Sequence, residues 1–209
     1  MNPLQDYLRY IVTLAAVLDP FLAVPIFLSV TSPADPAGRL RLARAVTVTV
    51  FAVLGGAALF GEPLLRWLGT GLPAFQVGGG LVLLLMALAM LNAQPGALRQ
   101  TPAEAQELRS GEWSGVVPLA VPLLAGPGAI GTTIIASQKG GVAHGLVLVV
   151  CIALVCGLLW WMLRIADAIA PKMGTTGLNI ATRLLGLLLA AIAIQTMAEG
   201  LRQLFPGLA

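Results

Sequence analysis

Asp19 is the residue of this chain whose surroundings point most clearly to chemistry. It lies in "LDPFLAVP" (residues 18–25), where Pro20 and Pro25 each lack the backbone N–H that a helix needs. The flanking residues are apolar over the length of a membrane crossing, and a carboxylate at that depth is costly unless it faces a cavity or a partner. We expect Asp19 either to carry a proton or to bind an ammonium group. The structural alternatives are an ion pair with Arg183 and a capping bond to a neighbouring backbone N–H.

A second interruption lies in "AGPGAIGTT" (residues 125–133). A broken helix exposes N–H donors at one half-helix end, which suit a carboxylate, and carbonyls at the other, which suit an ammonium group or a cation. Together the two interruptions predict a binding site for a zwitterion such as a small amino acid. The residues of this predicted site are Asp19, Pro20, Pro25, Gly126, Pro127, Gly128, Thr132 and Thr133. The alternative is a pair of proline kinks that only improve packing, with threonine hydroxyls bonded to their own helix carbonyls.

Other polar residues give weaker signals. Gln76 and Arg183 open the predicted third and sixth spans at equivalent positions, and they are candidates for coupling or for pairing with the buried carboxylate. Cys151 and Cys156 point to different sides of one helix, so they cannot form a disulfide. His144 has no Cys or His partner at metal-binding spacing. The sequence therefore predicts no metal site, no cofactor and no catalytic set, and an enzyme is not expected.

The composition predicts an integral membrane protein. The 209 residues are 58% hydrophobic and 10% charged, whereas ordinary globular domains carry about 25% charged residues. A soluble chain this short has too high a surface-to-volume ratio to hide so much apolar surface. The net charge is +3, but the basic residues are scattered singly, so a nucleic-acid partner is not expected.

Six segments are long and apolar enough to cross a bilayer, which takes about 20 residues. They are residues 8–30, 43–67, 72–92, 114–136, 142–164 and 180–202. The most polar connection, residues 93–113, divides a single membrane domain (1–209) into halves at 1–92 and 114–209. The first eight residues hold no Lys or Arg, so the first span is expected to be a retained helix rather than a cleaved signal.

Charge placement and internal symmetry predict the topology. Eight of the 12 Lys and Arg residues fall on the side of the first, third and fifth loops, which places both termini outside the cytoplasm. Three spans per half force the second half to be inverted. A shift of 107 residues aligns Pro20 with Pro127 and Gly79 with Gly186. The expected fold is all-α, with two inverted three-helix repeats whose first helices are both broken.

The sequence resembles the MarC family of bacterial inner-membrane proteins. The segment "VVPLAVPLLAGPGAIGTTIIAS" (116–137) is similar to the family signature, and "ATRLLGLLLAAIAIQTMAEGL" (181–201) is similar to its last helix. The resemblance covers nearly the whole chain and implies a six-helix inner-membrane protein grouped with neutral amino acid transporters. The family more often has Asn at the position of Asp19 and Arg at the position of Gln76.

These observations predict a secondary transporter of small neutral amino acids or similar small metabolites in the bacterial inner membrane. The expected partners are a small-molecule substrate and the lipid bilayer, and a homo-oligomer is compatible with the sequence. Two other functions stay open. One is a non-transporting membrane scaffold, for which paired helix breaks have no purpose. The other is a membrane-embedded enzyme, which would need a convergent set of reactive groups.

Overall fold

The structure of the protein is a computed structural model that describes residues 3–31, 36–67, 69–92, 124–138 and 141–208. Within these ranges the chain forms helices and short turns, with no strand. The helices are α1 (Pro3–Leu18), α2 (Pro20–Thr31), α3 (Pro36–Trp67), α4 (Leu72–Leu91), α5 (Pro127–Ser137), α6 (Val142–Arg164) and α7 (Ala166–Leu204), followed by a 3₁₀ turn at Pro206–Leu208.

Five segments of the described residues are long and apolar enough to cross a membrane. They are Leu4–Leu28, Pro36–Gly61, Leu72–Leu91, Ala143–Arg164 and Thr176–Leu204. The all-helical membrane class predicted from the sequence is therefore confirmed. Of the predicted fourth span, residues 114–123 lie outside the described residues, as does the polar connection 93–113, and the described remainder carries α5.

The stretch between the predicted fifth and sixth spans, residues 165–179, is largely helical and belongs to α7. The helix is interrupted there only at Gly174, which has φ 60° and ψ 178°. Glycine adopts positive φ without the steric cost that a Cβ brings, so the chain changes direction at this residue and stays helical on both sides. The break expected between the fifth and sixth spans is therefore present at Gly174, as a kink between two helical segments.

The outer surface of the bundle is apolar. On α6 the side chains of Leu146, Val150, Leu154 and Leu158 are exposed at every fourth residue. Such a stripe would be a liability in water, but it is the expected lipid-facing surface of a membrane helix. The opposite face of α6, which includes Ile152 and Leu159, is buried in the core.

Helices α4 and α7 pack closely and antiparallel through two glycines. A Cβ placed on Gly80 would lie 3.0 Å from the carbonyl oxygen of Ala193 and 3.1 Å from the backbone nitrogen of Met197. A Cβ placed on Gly186 would lie 3.2 Å from the carbonyl oxygen of Ala87 and 3.4 Å from the backbone nitrogen of Leu91. Small residues allow this backbone approach between membrane helices.

Candidate functional site

The first helix break centres on Asp19, which is 0% exposed. Its φ is 45°, in the left-handed region that Asp and Asn adopt more readily than most residues. The break is local, because Asp19 donates its N–H to the carbonyl of Ala15 (3.1 Å) and accepts from the N–H of Ala23 (3.1 Å). Asp19 Oδ1 accepts a hydrogen bond from the N–H of Leu22 at 3.2 Å. Asp19 therefore caps α2, which is one of the structural alternatives expected from the sequence.

At the second predicted interruption a helix again begins with a proline. Gly126 is extended (φ −68°, ψ 179°) and precedes α5, whose first residue is Pro127. The N–H of Ile130 donates to the carbonyl of Gly126 at 3.1 Å, as Ala23 does to Asp19. A Cβ on Gly128 would lie 2.6 Å from Met86 Sδ, so the beginning of α5 runs directly against α4.

The predicted site residues divide by burial. Asp19, Pro20, Gly126, Gly128, Thr132, Thr133 and Gln76 are buried, whereas Pro25, Pro127 and Arg183 are exposed. Arg183 forms no ion pair with Asp19; the ion pair that the described residues contain joins Arg39 to Asp167. Gln76 is 3% exposed, and its Oε1 has no hydrogen-bond partner among the described residues. The coupling roles of Gln76 and Arg183 stay predictions.

A polar cavity of about 90 Å³ opens at the end of the bundle where α1 begins and α7 ends. A single water needs about 10–15 Å³ of such a cavity, so the polar cavity has room for several waters or a small ligand. Its lining is Asp6, Tyr7, Arg9, Tyr10, Thr13, Thr132, Ile135, Ala136, His144, Leu148, Ile192, Thr196 and Glu199. Thr132 is thus the predicted site residue that lines it. Thr132 is 9% exposed, and within the described part of the chain its Oγ1 has no hydrogen-bond partner.

His144 is held in one tautomer in the polar cavity. Its Nε2 lies 2.9 Å from the carbonyl oxygen of Ala136, which can only accept, so Nε2 carries the hydrogen. In the neutral ring Nδ1 then accepts from the hydroxyl of Tyr7 at 2.8 Å. The two rings also stack at a tilt, with centroids 5.3 Å apart. The pair fixes the beginning of α1 against α6.

Thr133 joins α1 to α5. Its hydroxyl donates to the carbonyl of Ala129 at 2.8 Å. The bond of 3.0 Å between Thr133 Oγ1 and the Tyr10 hydroxyl must therefore be donated by Tyr10. Thr133 has a packing role here, which is the alternative that the sequence left open.

Most of the cavity lining was not predicted from the sequence. The signal was present in α1, where Asp6, Arg9, Tyr10 and Thr13 recur at the three- and four-residue spacing of one helix face. The same spacing relates Thr196 and Glu199 on α7. Nothing in the sequence neighbours of His144 indicates its partners.

A second cavity, the ion-pair cavity, lies at the other end of the bundle. It has a volume of about 210 Å³ and is lined by Phe27, Pro36, Arg39, Leu40, Ala43, Leu163, Arg164 and Asp167. Arg39 Nη1 donates to both carboxylate oxygens of Asp167 at 2.8 Å. Arg39 Nε donates to the carbonyl of Thr31, the last residue of α2, at 3.1 Å. One arginine thereby ties the end of α2 to the beginning of α7.

The described residues contain no group of three or more His, Cys, Asp or Glu side chains that would hold a metal ion. The polar side chains that line the two cavities carry hydroxyl, carboxylate, guanidinium and imidazole groups.

Comparisons with known proteins agree with this architecture. Residues 4–205 match the family described as "MarC family integral membrane protein". UPF0056 membrane protein YhcE of Escherichia coli is 32% identical over 203 residues, covering 97% of this chain and 94% of that protein. A UPF0056 membrane protein of the archaeon Methanocaldococcus jannaschii is 33% identical over 202 residues (95% and 97%), and YvbG of Bacillus subtilis is 31% identical over 197 residues (93% of each). No solved structure matches the chain. The protein is a multi-pass integral membrane protein and belongs to the MarC family.

Proposed function

We propose that this protein is a secondary transporter of small neutral amino acids or similar small metabolites, and not an enzyme or a scaffold. The observation that carries the proposal is a pair of cavities at opposite ends of the bundle, with a buried helix break between them. The α1–α2 crossing reaches both, because Thr13 lines the polar cavity and Phe27 lines the ion-pair cavity. At about 1.5 Å per residue, Asp19 lies roughly 9 Å along the helix from Thr13 and roughly 12 Å from Phe27.

An inverted repeat would give such a path its two-sided access. Two observations support one in this chain. Both α2 and α5 begin with a proline, Pro20 and Pro127, although the residues before them differ. In addition, the α4–α7 contacts come in matching sets related by 106 residues, pairing Gly80 with Gly186, Ala87 with Ala193 and Leu91 with Met197. In this proposal residues 114–136 complete a sixth crossing, broken at Gly126.

We place the protein in the bacterial inner membrane with both termini on the non-cytoplasmic side, as the Lys and Arg distribution predicts. The polar cavity then faces outward, since α1 begins and α7 ends there. The ion-pair cavity faces the cytoplasm, at the end where Arg39, Arg41, Arg44 and Lys172 lie.

The substrate class follows from size and chemistry. The polar cavity is small, and it is lined by both acidic and basic side chains, which suit a compact zwitterion better than a large or uniformly charged molecule. The grouping of the MarC family with neutral amino acid transporters, which the resemblance implies, points the same way. The sequence has no phosphate-binding loop, so the driving force in this proposal is an ion gradient or the gradient of the substrate itself.

The test is uptake of a panel of labelled amino acids into proteoliposomes, with and without a pH gradient. We expect saturable uptake of small neutral members, such as alanine, above the rate of protein-free liposomes. Equal rates with and without the protein, for every substrate and gradient, would refute transport and favour a scaffold. Chemical conversion of a substrate would favour an enzyme.

A further inference from the structure

We propose that the polar cavity binds a protonated amino group, held by oxygen lone pairs from α1 and α7. This inference rests on the proposed amino acid transport, and it assigns the ammonium end of the substrate to the end of the bundle where α1 begins rather than to Asp19. The helix-break oxygen Asp19 Oδ1 is already used by the N–H of Leu22, whereas the cavity offers a set of acceptors.

The threonine hydroxyls of α1 and α7 present acceptors to the cavity. Thr13 Oγ1 donates its hydrogen to the carbonyl of Arg9 at 2.7 Å. Thr196 Oγ1 donates to the carbonyl of Ile192 at 2.9 Å. A hydroxyl has one hydrogen and two lone pairs, so both groups can only accept from a ligand.

The two tyrosine hydroxyls also donate their hydrogens to partners within the protein. Tyr7 donates to Nδ1 of neutral His144, and Tyr10 donates to Thr133 Oγ1. Their remaining capacity is again as acceptors. Four hydroxyls around one small cavity therefore lack a hydrogen for a ligand, and a ligand there must supply its own donors.

Charged side chains in the polar cavity add to this excess of hydrogen-bond acceptors. Asp6 and Glu199 also line the cavity and are acceptors when ionised. Its donors are the guanidinium of Arg9 and the hydroxyl of Thr132, which has no hydrogen-bond partner among the described residues. An ammonium group satisfies the acceptors, and a carboxylate on the same molecule satisfies the donors. A bare metal cation would leave Thr132 and Arg9 without an acceptor, and an anion would face the excess of lone pairs.

Methylammonium is the simplest probe, because it carries only the charge and the three N–H donors. His144 is the single histidine of the chain, so ¹⁵N-histidine labelling of the purified full-length protein in nanodiscs reports on the cavity through one ring. We expect methylammonium and L-alanine to shift the His144 ring signals saturably. Tetramethylammonium, which has the charge but no N–H, acetate and Na⁺ should leave those signals unchanged. A response to tetramethylammonium, acetate or Na⁺ equal to that of methylammonium would overturn the proposal, as would no response to methylammonium.

Substitutions test which oxygens bind. Thr13→Val and Thr196→Val remove one acceptor each at nearly constant volume. Since each loses a hydrogen bond to a charged group, we expect each substitution to raise the Kd for methylammonium about tenfold or more. Thr47→Val is the matched control, because Thr47 makes the same bond to its own helix, to Ala43 at 2.8 Å, on α3 and outside the cavity. Unchanged affinity in both cavity variants would overturn the proposal.

The outcomes separate this inference from the proposed function. If the protein takes up alanine but its polar cavity does not bind methylammonium, the cavity assignment is refuted and transport is retained. Methylammonium binding without uptake of any amino acid would refute transport and leave the cavity assignment in place.

Discussion

Gly80→Ala gives a quantitative test of the close packing between α4 and α7. The added Cβ would lie 3.0 Å from the Ala193 carbonyl oxygen and 3.1 Å from the Met197 nitrogen, and it would also meet the Met197 side chain. Two of these atoms belong to the backbone, so they cannot swing aside as a flexible side chain can. Overpacking of this kind costs about 1–3 kcal/mol.

The matched control is Gly78→Ala, two residues away on the same helix. Gly78 is exposed and its Cβ would have no atom within 4 Å. Replacing an unrestrained helix glycine by alanine is expected to add about 0.5–1 kcal/mol of stability. The difference in unfolding free energy between the two variants therefore isolates the cost of the contact.

The assay is thermal unfolding in detergent micelles, followed by tryptophan fluorescence and by circular dichroism. For a chain of this size 1 kcal/mol corresponds to about 2–4 °C in Tm, so we expect Gly80→Ala to melt well below Gly78→Ala. Gly186→Ala should behave like Gly80→Ala, because its Cβ would meet the equivalent atoms of Ala87 and Leu91. Equal Tm values for the Gly78 and Gly80 variants would refute the packing argument, and opposite effects at Gly80 and Gly186 would refute the repeat.

Three further predictions follow from buried or paired groups. Asp19→Asn should keep the left-handed cap and change the free energy of unfolding little, whereas Asp19→Ala should lose about 1–3 kcal/mol in chemical denaturation. Equal stability of the two variants would contradict the capping role. Unchanged pH dependence of uptake in Asp19→Asn would exclude Asp19 as a proton carrier. Asp167→Asn should cost less than about 1 kcal/mol, because the ion pair with Arg39 is partly exposed, and a loss several times larger in the same assay would contradict this. Cys151 and Cys156 are buried, so a membrane-impermeant maleimide should label them only after denaturation, and labelling of the native protein would show that the core is open.

The elements of the fold could be predicted from the sequence because their causes are local. A run of apolar residues specifies a membrane crossing, and a proline removes a donor wherever it stands. The break before Pro20 follows directly and appears in the structure, and a helix begins at Pro127 as expected. The lining of the polar cavity could not be predicted, since it depends on which faces of α1, α5, α6 and α7 meet.

Arg183 shows that a difference of one residue in the alignment of the two halves changes which side chain is buried. The sequence shift of 107 residues pairs Gln76 with Arg183, whereas the contacts of Gly80 and Gly186 relate α4 to α7 by 106 residues and pair Gln76 with Thr182. A shift of one position along an α-helix rotates the direction of the side chain by about 100° about the helix axis. Thr182 is accordingly 5% exposed, and Arg183 faces outward. Helix rotation of this size is set by tertiary packing and is not visible in a weak internal repeat.

The most direct test of two-sided access is cysteine labelling in lipid nanodiscs, where both membrane faces are open to the reagent. The two native thiols are buried, so Ala136→Cys reports on the polar cavity and Leu40→Cys on the ion-pair cavity. If the cavities belong to one transport path, saturating alanine should change the two labelling rates in opposite directions. Rates that change in the same direction, or not at all, at alanine concentrations that saturate uptake would contradict the account.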